Sequence, residues 1–108
     1  MIWEHPTLRR ASMAAYFIYA RSEITDAEVS RRYSELAVPQ IHQFGGEVLV
    51  ARGAVQPLEG DLNPQSVTIL RFDDPAALMR WYESPKYAPL KQMRLESNVG
   101  DIIVVDQA

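Results

Sequence analysis

Residues 66–94, SVTILRFDDPAALMRWYESPKYAPLKQMR, decide the fold. The opening SVTILRF is β-branched and apolar on both faces, which reads as a strand buried from two sides. Asp73-Asp74-Pro75 then stops it. Asp74 is placed to cap a helix, with Pro75 at the first helical position, where a missing N–H costs nothing. Ala77, Leu78, Trp81 and Tyr82 give that helix a buried face. Ser84-Pro85 repeats the cap-then-proline signal, and Pro89 follows too soon for one regular helix. The spacing predicts a bent turn through Tyr87 and a short helix over residues 89–95.

Upstream, the pattern completes a unit. Residues 14–20, AAYFIYA, form a β-prone run that is apolar on both faces. Thr25 to Glu28 reads as a capping box, and Val29, Tyr33, Leu36, Ala37, Ile41 and Phe44 follow as a one-sided helical stripe. Pro39 lies inside this helix and predicts a kink or break near residues 37–38. Gly45-Gly46 ends it. EVLVAR (47–52) is a second strand, with Val48, Val50 and Arg52 expected on one face and Gly53 allowing a bulge. The turn-rich loop 59–64 makes it a hairpin with SVTILRF. Downstream, IIVV (102–105) is the last strand.

The order is β-α-β-β-α-β, an α+β ferredoxin-like arrangement with a four-stranded antiparallel sheet. Two helices cover one face of such a sheet. The strands are apolar on both faces, so the second face also needs cover, and a second copy packed sheet against sheet supplies it. The expected assembly is a homodimeric α/β barrel.

The 108 residues suit one domain with one core. Residues 13–108 are expected to form it, preceded by residues 1–12 as a poorly ordered extension or an arm docked through Ile2 and Trp3. Net charge is −3 and the basic residues are scattered, which argues against nucleic acid as a partner. No apolar run reaches the ~20 residues of a membrane helix. With no cysteine, disulfides and thiolate sites are excluded, consistent with a cytoplasmic location.

The combination of Ala14-Ala15-Tyr16, Pro39, Phe44-Gly45-Gly46, Arg52-Gly53, Leu58-Glu59-Gly60-Asp61, Arg71-Phe72, Trp81-Tyr82, Ser84-Pro85-Lys86-Tyr87 and Arg94 resembles a family of small bacterial proteins, domain of unknown function thirteen-thirty. The resemblance runs from Ala14 to the end. It implies the ferredoxin-like dimeric barrel and implies no reaction. Ala51-Arg52-Gly53-Ala54 departs from the family's more usual Arg-Gly-Gly.

Few residues offer chemistry. His5 and His42 are the only histidines, short of a metal ligand set, and no phosphate loop is present, so no metal, haem or nucleotide cofactor is expected. Arg52 ends an apolar strand and either reaches the rim or enters a cavity that holds an anion. Tyr87 is a polar-tipped ring in a bent segment between prolines, where pockets and interfaces are often lined. Arg94 is placed to face it from the next helix. The candidate set is His42, Glu59 and Tyr87 for catalysis, with Arg52, Arg94 and Trp81 contacting substrate. Guanidinium and phenol together suit a small organic acid or enol. Two functions follow: a cofactor-independent enzyme acting on such a molecule, or a non-catalytic homodimeric binding or stress-associated protein.

Overall fold

The computed structural model describes residues 13–107; the expected extension, residues 1–12, lies outside them. The elements are β1 (Ala15–Ile24), α1 (Ala27–Gln43), β2 (Glu47–Gly53), β3 (Ser66–Phe72), α2 (Pro75–Tyr82), α3 (Ala88–Ser97) and β4 (Asn98–Asp106). The sheet runs β2-β3-β1-β4 with every pairing antiparallel. This is the expected ferredoxin-like α+β fold. None of the described helices is long and apolar enough to cross a membrane.

Both α2 and α3 start as the local chemistry requires. Asp74 accepts from the Ala77 N–H at 2.8 Å, and the Ser84 hydroxyl accepts from the Tyr87 N–H at 3.1 Å, shaping the bend before α3. At α1 the cap is Asp26 rather than Thr25, because Asp26 Oδ1 accepts from Val29 N. The Thr25 hydroxyl instead donates to the Glu96 carbonyl, pinning the end of β1 to α3. Pro39 does not break α1, which is continuous to Gln43. Pro39 faces solvent, as does Glu35, whose carbonyl loses its partner, while buried Ala37 and Ile41 hold the helix to the sheet. Gly45, at φ +88°, closes the helix. Its N–H donates to His42 O and that of Gly46 to Ile41 O, the paired bonds of a Schellman motif.

The core lies between helices and sheet. Trp81 and Tyr87 are fully buried, their ring centroids 4.3 Å apart, with Phe72 stacked on the indole at 5.7 Å. Gln40 ties α1 to this cluster: its Oε1 accepts from the Trp81 indole and its Nε2 donates to Lys86 O. One sequence expectation fails in β2. A register shift puts Val48 opposite Leu70, on the helix side, and Val50 opposite Ile69, on the other, and a second shift follows before Gly53. The face away from the helices carries Ile18, Val67 and Ile69, half-buried within the sheet, together with Ile103 (57% exposed) and Val105 (42% exposed). That face is an apolar surface that none of the described residues covers.

Candidate functional site

The helix face of the sheet changes character along its length. Alternation in β1 points Phe17, Tyr19 and Arg21 toward the helices, and the register sets Leu70, Thr68 and Ser66 of β3 beside them in that order. α1 crosses above, bringing Ile41 and Ala37 over the first end and Ser30 over the last. Between α1 and the sheet lies a cavity of about 100 Å³, lined by these residues with Tyr33, Asn98, Val48 and Arg52. Val38, Ala51 and Arg52 are exposed and mark its mouth, between α1 and β2.

The polar end is a buried network. The Ser30 hydroxyl donates to Asn98 Oδ1 at 3.1 Å, and Asn98 Nδ2 donates to Ser97 Oγ at 2.9 Å. Arg21 lies at the same end, 9% exposed, and its Nε has no hydrogen-bond partner among the described residues. Burial lowers its pKa; Tyr19 opposes that shift and the neighbouring Arg52 guanidinium adds to it. Arg52 adopts φ +50°, rare for a residue with a side chain, with its N–H held by Thr68 Oγ1 at 3.0 Å. The bulged edge strand therefore turns Arg52 to the cavity mouth at some cost in backbone strain.

Behind the cavity wall, Arg94 is 5% exposed. Its Nε donates to Tyr87 Oη at 3.3 Å, and its guanidinium sits 5.5 Å from the Tyr19 ring centroid. Tyr87 Oη is 2.8 Å from Tyr33 Oη. Tyr87 is fully buried, and either hydroxyl can donate in its contact with Tyr33; when Tyr87 donates, the Tyr33 proton is free to turn to a ligand in the cavity. Burial, and then Tyr87, push the Tyr33 pKa well above its ordinary value, so it remains a donor at neutral pH.

Among the described residues, ion pairs are made by Arg31 and Arg71 only. Among those residues Arg21, Arg52 and Arg94 have no carboxylate, and no carboxylate or imidazole lines the cavity. Burying a guanidinium without a counter-charge costs several kcal/mol. A cavity built from donors and positive charge is suited to hold an anion and to stabilise negative charge developing on it. Among the described residues that line it, no side chain is suited to take up a proton.

The structure brings Arg94 and Tyr87 together and sets Arg52 at the cavity mouth. Trp81 sits wholly in the core, its indole bonded to Gln40. His42 is exposed in the last turn of α1, and Glu59 is exposed in the loop between β2 and β3; neither lines the cavity. Arg21, Tyr19, Tyr33 and Asn98 escape sequence reasoning. Arg21-Ser22-Glu23 reads as a loop after a strand, and Tyr33 as one more member of an apolar stripe.

No curated protein matches the chain. Among solved structures, RPA0582, a protein of unknown function from Rhodopseudomonas palustris, aligns with a TM-score of 0.65 at 19% identity, covering 97% of this chain and 92% of that one. SnoaB, a cofactor-independent oxygenase from Streptomyces nogalater, aligns at 0.58 and 17% identity over 88% of this chain and 92% of its own. A dimeric protein of unknown function with a ferredoxin-like fold from Bacteroides fragilis aligns at 0.52 and 12% identity, covering 88% and 94%. At these identities the likeness establishes the fold. The sequence of residues 14–108 matches the model of one family along its length, and the chain belongs to that family, domain of unknown function DUF1330.

Proposed function

We propose that this protein is a homodimer that binds a small organic acid, or its enol form, in the cavity beneath α1. The observation that carries the ligand class is the set of guanidiniums without carboxylates: Arg21 buried with a free Nε, Arg52 turned to the mouth, and Arg94 behind the wall. A carboxylate or enolate supplies the missing charge and accepts from Tyr33. The apolar outer face supports the dimer, which places Ile18, Ile69 and Ile103 of one copy against the sheet of the other.

Reaction without a cofactor on such a molecule draws support from the likeness to an oxygenase that works that way. In this reading the protein contributes stabilisation of an enolate by Tyr33 and Arg21. The absence of a base from the cavity lining favours the alternative, a binding protein without catalysis. Bound acid in deuterated buffer separates them: exchange of the proton next to its carboxylate marks the enzyme, and its retention marks the binder.

The binding claim is tested by thermal melting with a panel of small carboxylates. At about a hundredfold the dissociation constant, a ligand adds roughly 2.7 kcal/mol of stability. For a domain of this size that is a rise of about 10 °C or more. Arg21→Gln should remove the rise and leave the protein folded. The proposal fails if no acid raises the melting temperature, or if chloride at equal ionic strength does so as well.

A further inference from the structure

We infer that the ligand is an amphipathic monocarboxylic acid, bound in one direction, with its carboxylate at the Arg21 end and an apolar tail running along β1 toward Phe17. This rests on the anion reading of the cavity and adds the ligand's shape and orientation. Successive inward residues of a strand are about 6.7 Å apart. From Arg21 through Tyr19 to Phe17, the lining therefore passes from charged through hydroxylated to wholly apolar over about 13 Å. The neighbouring strand repeats the gradient in register, with Ser66 beside Arg21, Thr68 beside Tyr19 and Leu70 beside Phe17. α1 repeats it from above, with Ser30 over the polar end and Ile41 over the apolar one. Three elements agree on one axis, and only the polar end offers charge. A dicarboxylate would bury its second charge against Phe17, Leu70 and Val48, where nothing pairs with it. A short hydrocarbon or aromatic tail fits there without loss.

Titration calorimetry on the full chain, with straight-chain acids from acetate to octanoate, the matching amides and adipate, the dicarboxylate of hexanoate's length, tests this. Each added methylene should tighten binding about fourfold until the cavity is full, after which affinity should level or fall. Hexanamide and adipate should bind at least tenfold more weakly than hexanoate. In Arg21→Gln the acid and amide should become alike while the dependence on chain length survives. In Val48→Thr, at the exposed side of the tail site, the chain-length dependence should flatten while the preference for acid survives. Acids that bind equally at every chain length, or an adipate that binds as well as hexanoate, would overturn the orientation and leave the anion site standing. Equal binding of acid and amide to the wild type, or no binding of either, would overturn the anion site and the orientation together.

Discussion

Replacing Tyr87 by Phe removes one oxygen atom and nothing else, since the Phe ring fills the same space against Trp81. The lost hydroxyl serves two partners, accepting from Arg94 at 3.3 Å and lying 2.8 Å from Tyr33 Oη. A neutral hydrogen bond contributes about 0.5–1.5 kcal/mol and one to a charged group about 1.5–3 kcal/mol. Among the described residues Arg94 is then left buried with its Nε unpartnered and no counter-ion, only the Tyr19 ring beside it. The expected loss is therefore about 2–4 kcal/mol. In urea, with a slope near 2 kcal/mol/M, the midpoint should fall by roughly 1–2 M without a change of slope. Tyr82→Phe is the control: Tyr82 packs beside Tyr87, and its hydroxyl has no hydrogen bond among the described residues, so its midpoint should barely move. A Tyr87→Phe loss under about 0.5 kcal/mol would refute the claim that this hydroxyl partners a buried charge.

Three further outcomes follow from the structure. Ile69→Asp or Ile103→Asp should abolish the dimer or the fold, because each puts a carboxylate on the apolar outer face; light scattering that finds a stable wild-type monomer at micromolar concentration would contradict the assembly. The Tyr33 pKa is raised in the folded protein, so its contribution is complete below about pH 10, where unfolded tyrosine begins to ionise, and is lost as pH rises toward the folded value. Urea midpoints should accordingly fall above about pH 10, and Tyr33→Phe should flatten that fall; an unchanged profile would show that burial does not hold the proton. Gly46→Ala would set a methyl 2.6 Å from the Phe72 ring and 2.8 Å from Ile41, for a loss of about 1–3 kcal/mol by urea unfolding; a neutral result would mean that contact relaxes freely.

What was legible in the sequence was local or periodic. Asp74-Pro75 and Ser84-Pro85 carry their own stop and start signals within four residues, and strands apolar on both faces announce a sheet whose second face is also apolar. Pro39 misled because propensity speaks only for the isolated helix, while Ala37 and Ile41 hold α1 down on either side of it. Asp26 displaced Thr25 because both cap well, and only contact with Glu96 decides between them. The site was half legible for the same reason. Tyr87 and Arg94 are seven residues apart on one bend and helix, close enough to pair by eye. Arg21 becomes an inward-facing residue only through pairing with Ser66 and Gly100, and Tyr33 meets the Tyr87 hydroxyl, 54 residues away, only through the fold. The bulge that splits Val48 from Val50 is likewise set by the partner strand, not by β2 itself.

The central claim is that buried guanidinium in the cavity waits for an acid's oxygen, and Arg21 Nε reports on it directly. Nitrogen–proton correlation spectra of the arginine Nε groups should show the Arg21 resonance sharpen and move downfield as hexanoate is added, with the Arg31 and Arg71 resonances, already ion-paired at the surface, unmoved. An Arg21 signal unchanged at saturating acid, or one that shifts no more than those of Arg31 and Arg71, would contradict the account.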